Sequence, residues 1–343
     1  MDDAGHPVGL AGVAADGVLV EVELMEQMLE TGTEPCTDAA DLAEQLGQRR
    51  RAAARAAQDA GARLVALATS PRPATSSVTV DPRYRQMLAE FGLTVREQLT
   101  CGCHVHVEVA DADEGVAVLD RIGPWLPSLL ALSANSPFWH GEDTGYASYR
   151  SQVWRRWPTA GPTDPFGTAG RYAAVVDGLI GSGAALDAGM IYFDARLSRR
   201  YPTVEVRVPD VCLRPPDALL LGILARGLVE TASRDGLAPG PAAGHRAELL
   251  RAASWCAARH GLQGSLVNPL TLGRERAADV VGVLLDQLRP VLAGQGEWEL
   301  ATRLWDGLRA RGTGAQEQRA WAADGFAEVI RLAARATLET SAR

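Results

Sequence analysis

The chain has 343 residues, 47% of them hydrophobic, and carries a formal net charge of −8 with an isoelectric point near 5.4. This length and composition support a buried core and exclude disordered and collagen-like classes. The acidic balance argues against a nucleic-acid backbone or an anionic membrane as a partner. All 34 basic residues are arginine, which excludes enzymes that use a Schiff-base or P-loop lysine.

Three further features bear on location. The longest apolar run, near residues 125–132, is shorter than the roughly 20 residues that a membrane span needs. The first residues are acidic and lack the pattern of a signal peptide. The five cysteines are odd in number and scattered, which fits reduced thiols better than disulfides. We therefore expect a cytoplasmic protein without a membrane or nucleic-acid partner.

The first predicted elements mix strands and helices. Residues 17–25 alternate as a strand does, which places Glu21 and Glu23 on one side. Thr37 or Asp38 then caps a predicted helix that runs through about Ala60, and Gly61 suits the stop after it. The pattern next predicts a strand at 63–68, a loop at 70–82 and a short helix around 84–91.

The middle of the chain contains the strongest strand pattern, at residues 101–109. The segment 137–171 is rich in Gly, Pro, Trp and Arg and is too long for a plain connector, so it is a candidate substrate-binding loop. The other predicted elements here are helices at 112–121 and 124–134 and strands at 190–196 and 202–208.

The pattern becomes mostly helical from Pro215 onward, with predicted helices near 216–233, 245–259, 276–293, 297–311 and 315–339. We predict a single domain over residues 1–343 of the α+β class, sheet-rich at 17–210 and helical at 215–340.

Two strands carry side chains that suit chemistry. On strand 101–109 the two cysteines face away from His104 and His106, because side chains alternate, so a Cys₂His₂ zinc site is geometrically poor. Residues 203–207 (TVEVR) direct Glu205 and Arg207 to one face and valines to the other. That polar face is either the wall of a site or a solvated surface with an ion pair.

Separated sequence blocks occur in the order seen in the second family of glutamate–cysteine ligases, which includes the bacterial carboxylate–amine ligases. The resemblance covers roughly residues 20–335, and its most specific blocks are 101–107 (CGCHVHV), 133–139 (SANSPFW), 154–159 (WRRWPT) and 203–208 (TVEVRV). It implies a curved, mainly antiparallel sheet with helices on one side, of the glutamine synthetase and guanido kinase type. It also implies ATP-driven formation of γ-glutamyl phosphate, which an amine attacks to give an amide.

The resemblance assigns roles to individual residues. It makes Arg207 and Glu205 catalytic, with Arg207 stabilising the acyl phosphate. It implies an Mg²⁺ or Mn²⁺ cluster, because hard cations take oxygen ligands, and the residues that match its ligands are Glu23, Glu30, His104 and Glu205. Glu30 lies an odd number of residues from Glu23, so a bulge or turn near Gln27 is required to bring them together.

Weaker matches imply binding roles for charged residues elsewhere. Arg150, Arg155 and Arg156 in the long loop would clamp a carboxylate or phosphate, and Asp194 and Arg196 would line the same cleft. A solvated loop accounts equally well for any one of these arginines. The positions that resemble the nucleotide side of the site are Arg259, Thr313 and Arg319, although Gly and Thr near Thr313 also suit an ordinary interhelical turn.

The chain departs from the family at its start. Family members open with a Gly-Val-Glu-Glu-Glu-Phe strand that supplies two acids, whereas residues 6–13 here contain none. We expect Glu21 to replace part of that metal-binding capacity, and the ligase to be weakened. An uncovered sheet edge beside residues 21–25 would then recruit a second copy or a partner subunit. A smaller difference is Cys256, which stands where the family usually has an arginine.

Three hypotheses follow. The chain is an ATP-dependent ligase acting on a small amino acid and an amine, a catalytically dead relative that binds nucleotide or amino acid or serves a partner ligase, or a zinc- or thiol-dependent enzyme. The sequence does not identify the amine, because pocket shape decides it.

Overall fold

A computed structural model describes residues 1–2, 5–9, 20–238 and 240–340. The predicted strand at 17–25 lies partly outside these residues, as does half of the segment 6–13. The described strands are β1 (Val20–Val22), β2 (Leu29–Thr31), β3 (Val105–Glu108), β4 (Phe138–Trp139), β5 (Glu142–Asp143), β6 (Ala195–Leu197), β7 (Thr203–Val206), β8 (Ser265–Val267) and β9 (Arg274–Arg276).

Helices make up most of the remainder of the described chain. They are α1 (Ala39–Asp59), α2 (Pro82–Phe91), α3 (Leu93–Arg96), α4 (Ala112–Ile122), α5 (Leu126–Ser133), α6 (Arg150–Trp154), α7 (Ala169–Gly181), α8 (Pro215–Ser233), α9 (Ala247–His260), α10 (Ala277–Gly294), α11 (Trp298–Arg311), α12 (Gly314–Trp321) and α13 (Phe326–Leu338). The predicted cap of the first helix is present, since the Asp38 side chain accepts hydrogen bonds from the first backbone N–H groups of α1.

An antiparallel sheet in the order β3-β7-β6 forms the floor of the site. Val204 and Val206 on β7 are fully buried on one face, where helices α8 and α4 pack. Helix α8 is apolar on nearly all sides and is therefore buried, with α1, α5, α10 and α11 around it. The other face of the sheet is left for Glu205 and the histidines of the β3 segment. This confirms the predicted α+β class with antiparallel strands and helices behind them.

The structure corrects four predicted elements. Residues 63–68 are extended but form no ladder, and a β8–β9 hairpin was not predicted. The predicted helix 315–339 is two helices, because Gly325 has φ of 90° and interrupts it. We predicted that Glu23 and Glu205 lie in one sheet. Glu23 instead follows β1, which pairs only with β2 among the described strands, so the two residues belong to different sheets.

One helical run, Ala112–Ser133, is long and apolar enough to cross a membrane by length and composition alone. Of its most apolar window, 72% is buried inside the molecule, and core helices of soluble proteins pass the same test. The run comprises α4 and α5, which pack against α8 and α9. The division into one domain is not tested by these observations and stays a prediction.

Candidate functional site

A large cleft of about 2620 Å³ opens on the polar face of the β3-β7-β6 sheet. Its floor includes the whole of β3 together with Glu205 and Arg207, and its walls include Glu23, Glu30 and residues of α1. Other predicted site residues that line it are Arg150, Arg196 and His104. The arrangement therefore brings the predicted catalytic and metal-binding side chains into one space.

Glu205 is the centre of a charged network in this cleft. The side chain is buried, at 3% exposure, and its Oε2 accepts a hydrogen bond from Arg196 Nε at 2.7 Å. Its Oε1 accepts a hydrogen bond from Arg207 Nη1. Burial acts to raise the pKa of Glu205, but Arg207 and Arg196 together hold that pKa below its ordinary value. A solvated outer face is thus excluded, and TVEVR forms the wall of a site.

The two histidines of the β3 segment flank the same carboxylate. His104 Nδ1 lies 3.7 Å from Glu205 Oε1, and His106 Nε2 lies 3.9 Å from it. This confirms that His104 and Glu205 face one side. Burial, together with the charges of Arg207 and Arg150, lowers the pKa of His104 well below its usual range, so this imidazole is neutral. A neutral imidazole can accept a hydrogen bond or bind a cation.

Glu23 and Glu30 form a second acidic group at the β1–β2 hairpin. The required turn is present, because the Met28 N–H donates to the Met25 carbonyl and reverses the chain. A hydrogen bond to Glu23, followed by burial, raises the pKa of Glu30 to about 8, so the Glu30 carboxyl keeps its proton near neutral pH. Glu30 Oε1 also lies 4.0 Å from His104 Nδ1. Glu21 pairs with Glu30 through its backbone, and its side chain lies outside the described part.

The donor set fits a divalent cation at one end of the cluster only. A hard cation could take the place of the proton that Glu30 holds beside Glu23. Glu205 differs, because arginines occupy both of its oxygens. Within the described ranges no group of three or more His, Cys, Asp or Glu residues is arranged as a ready metal site. Of the predicted ligands, Glu23 and Glu30 are therefore the two that could contribute carboxylates to Mg²⁺ or Mn²⁺.

Arg150 lies at the inner end of the cleft. Its side chain is 3% exposed, and Nη1 donates to the Val208 carbonyl at 3.3 Å and lies 3.7 Å from Asp210 Oδ1. Asp210 is held in turn by the hydroxyl groups of Ser136 and Ser148. Trp154 stands 5.5 Å from the Arg150 guanidinium and 5.9 Å from that of Arg207, so the indole contacts both cations.

The other predicted loop residues do not reach the cleft. Arg156 pairs with Glu97, and Arg155 lies near Asp194 behind the cleft wall. Burial raises the pKa of Asp194 to about 6, with Arg155 and Arg150 opposing the shift. The backbone carbonyl of Asp194 accepts a hydrogen bond from the backbone N–H of Arg207, which stabilises the end of the sheet.

Arg259, Thr313 and Arg319 lie outside the cleft. Arg319 donates to both oxygens of Asp143, at 2.8 and 2.7 Å, and Arg259 donates to the Gly145 carbonyl and stands 5.7 Å from the Tyr146 ring. Thr313 begins α12 in a capping box with Gln316. The contacts of all three residues stabilise the local structure around them.

Sequence reasoning missed several residues that shape the cleft. His106 and Trp154 were not assigned, nor was Gly102, which lies under the Arg150 guanidinium. The strand period that selected His104 also selects His106, so that signal was available. The contacts of Gly102 with Arg150 and of Trp154 with Arg207 join segments about 50 residues apart, so strand or helix periodicity could not predict them. The Cys103 thiol hydrogen-bonds the Cys212 thiol, which disfavours a zinc site shared by Cys103 and the histidines.

Comparisons with known proteins agree with this geometry. Residues 4–330 match glutamate-cysteine ligase family 2. A protein of Streptomyces avermitilis provisionally named glutamate–cysteine ligase 2-1 is 52% identical over 90% of this chain and 85% of the relative. A protein of Frankia alni provisionally named glutamate–cysteine ligase 2-2 is 51% identical over 93% of this chain and 84% of the relative.

A solved structure shares the fold. The crystal structure of glutamate–cysteine ligase from Francisella tularensis in complex with AMP superposes with a TM-score of 0.65 at 12% identity, covering 100% of this chain and 85% of the other. At that identity the likeness concerns the fold alone. The match over nearly the whole sequence and the 52% identity decide the relationship. The chain belongs to glutamate-cysteine ligase family 2.

Proposed function

We propose that this protein is an ATP-dependent ligase that joins the carboxylate of an amino acid, the γ-carboxylate of glutamate, to an amine. The observation that carries the proposal is the convergence in one cleft of an acidic pair, Glu23 and Glu30, with two cations around Glu205, the buried Arg207 and the partly buried Arg196. Acyl phosphate chemistry needs both, since negative charge collects on the transferring phosphoryl group.

The reaction has two steps. A carboxylate oxygen attacks the γ-phosphorus of ATP, which breaks the bond to the β-phosphate oxygen and releases ADP. The amine nitrogen then attacks the acyl carbon, phosphate leaves, and the amine gives up a proton as the amide forms. A divalent cation, when bound, supplies charge neutralisation for the phosphoryl group.

The protein's own residues position these groups. Glu205 holds the Arg207 and Arg196 guanidiniums in place, so that Arg207 can stabilise the acyl phosphate and then the departing phosphate. Arg150 lies farther in and suits the carboxylate of the amino acid. We assign proton acceptance from the amine to His104, whose imidazole is neutral within the cleft. The cytoplasmic location and the small-molecule partners belong to the same proposal.

A second candidate function is binding of nucleotide or amino acid without turnover. It is favoured by one observation, namely that arginines engage both oxygens of Glu205, so that of the predicted ligands with described side chains only Glu23 and Glu30 offer a carboxylate without an arginine partner. Fewer carboxylates would bind Mg²⁺ more weakly and slow phosphoryl transfer.

One experiment separates the two candidates. The purified protein is incubated with ATP, Mg²⁺, glutamate and a panel of amines, and ADP release and new amide masses are measured. The ligase proposal expects amine-dependent ADP release together with an amide of matching mass. Nucleotide or glutamate binding without amide in any mixture would establish the binding-only function and refute the ligase.

A further inference from the structure

Gly102 precedes β3 by three residues and lies under the cleft. Its backbone forms an antiparallel bridge with Asp210 and has no left-handed conformation, so alanine could adopt the same backbone angles. Nothing in the main chain therefore demands glycine here.

The space above Gly102 is filled by Arg150. A Cβ atom at Gly102 would lie 2.3 Å from Arg150 Nη2, 2.9 Å from Arg150 Cζ and 3.2 Å from His104 Nε2. The first two distances are far inside van der Waals contact, so the guanidinium would have to move. The missing side chain at Gly102 is what admits Arg150 beside His104.

Arg150 cannot move without losing its present contacts. Its Nη1 donates to the Val208 carbonyl, and its neighbours include Asp210 and Trp154. Its Nε is buried without a partner, and no described residue accepts a hydrogen bond from Nη2. A guanidinium on the wall of a cleft with an unused Nη2 is suited to donate a hydrogen bond to a carboxylate.

We propose that Gly102 is a positioning residue, which acts through Arg150 by leaving the space in which the guanidinium faces the carboxylate of the amino acid substrate. This inference rests on the proposed ligase function for the identity of the substrate. The placement of Arg150 by Gly102 is independent of it.

The test uses Gly102→Ala in the full chain, with Gly282→Ala as the matched control. Gly282 lies in α10, where an added Cβ atom would meet open space, so its alanine variant should behave as wild type. The Gly102→Ala protein should fold, because the clashing atoms belong to the end of a side chain. Its KM and its calorimetric dissociation constant for L-glutamate should rise on the order of tenfold or more, and kcat should change less.

A double-mutant cycle with Arg150→Lys distinguishes positioning from general damage. If Gly102 acts through Arg150, the Gly102→Ala change adds little in the Arg150→Lys background, so the two losses are strongly non-additive. Fully additive losses would overturn the inference. So would a crystal structure of Gly102→Ala with Arg150 in its present place, which remains informative if a variant binds poorly.

The outcomes for the two proposals are separable. Wild-type protein that binds L-glutamate tightly, loses that binding in Gly102→Ala and never forms an amide would refute the ligase and support the role of Gly102. Equal L-glutamate affinity in wild type and Gly102→Ala would overturn the role of Gly102, whatever the ligase assay shows.

Discussion

The arginines of the cleft, Arg150 and Arg207, and an arginine outside it, Arg319, use the same kind of side chain in different ways. We call the first pair the cleft cluster, and Arg319 with Asp143 the outer cluster. In the cleft, Arg150 and Arg207 are buried and each keeps a buried Nε without a partner. Outside it, Arg319 is paired with both oxygens of Asp143 and with the Tyr146 carbonyl. The first cluster retains hydrogen-bonding capacity for a ligand, whereas the second uses that capacity on the chain itself. Spare donors, more than positive charge, distinguish a binding site from a structural one.

The largest expected effect comes from Glu205→Gln, which removes the anchor of the cleft cluster. Turnover should fall about 10²-fold, because Arg207 and Arg196 lose the charge that orients them. The free energy of unfolding should fall by about 3 kcal/mol, since two buried guanidiniums lose their carboxylate. ADP release and chemical denaturation measure the two effects.

The matched control for that change is Glu108→Gln, at an exposed glutamate that lines the same cleft. It should alter turnover less than about twofold, because surface substitutions away from special contacts are usually small. If the two variants behave alike, the cleft cluster has no special role and the contrast between the two arginine clusters fails.

An intermediate effect is expected from Glu30→Gln and depends on pH. The pKa of Glu30 is about 8 in the folded protein against an ordinary 4.5, so the folded state holds a proton that the unfolded chain releases. Stability from this group is present at low pH and is lost as pH rises from about 4.5 through 8. A glutamine at this position does not titrate, so the variant does not lose this stability. Its melting temperature should therefore rise relative to that of wild type as pH increases from about 5 to 8.5.

Magnesium, like the Glu30→Gln substitution, should raise the melting temperature. At about pH 8 the cation should raise the melting temperature of wild type more than that of Glu30→Gln, because in wild type it replaces the proton on Glu30. A melting-temperature difference that stays constant with pH would show that Glu30 titrates normally and is not paired with Glu23.

The smallest effect is expected from Arg319→Gln. The Asp143 pair is partly exposed, so its loss should cost about 1 kcal/mol of unfolding free energy or less. The KM for ATP should stay within about twofold of wild type, since Arg319 does not line the cleft. A KM for ATP raised about tenfold or more would instead restore the nucleotide role that the family resemblance implies, and would erase the contrast between the clusters.

Prediction from sequence succeeded where local pattern and local geometry coincide. Alternation along TVEVR placed Glu205 and Arg207 on one face, and the odd spacing of Glu23 and Glu30 required the turn that the structure contains. It failed at residues 63–68, whose strand-like composition is satisfied by isolated contacts rather than by a ladder. The prediction for the loop arginines was right for Arg150 but wrong for Arg155 and Arg156, which do not line the cleft. Packing alone decides which of the three reaches it.

The family, the α+β class and the face on which Glu205 and His104 meet could all be predicted from the sequence, because strand periodicity and sequence blocks are properties of short segments. Tertiary structure alone decided that Arg319 is saturated by Asp143, that Arg150 retains free donors, and that Gly102 makes room for it. Those features join segments far apart in the chain, and their geometry exists only once the helices have packed against the sheet.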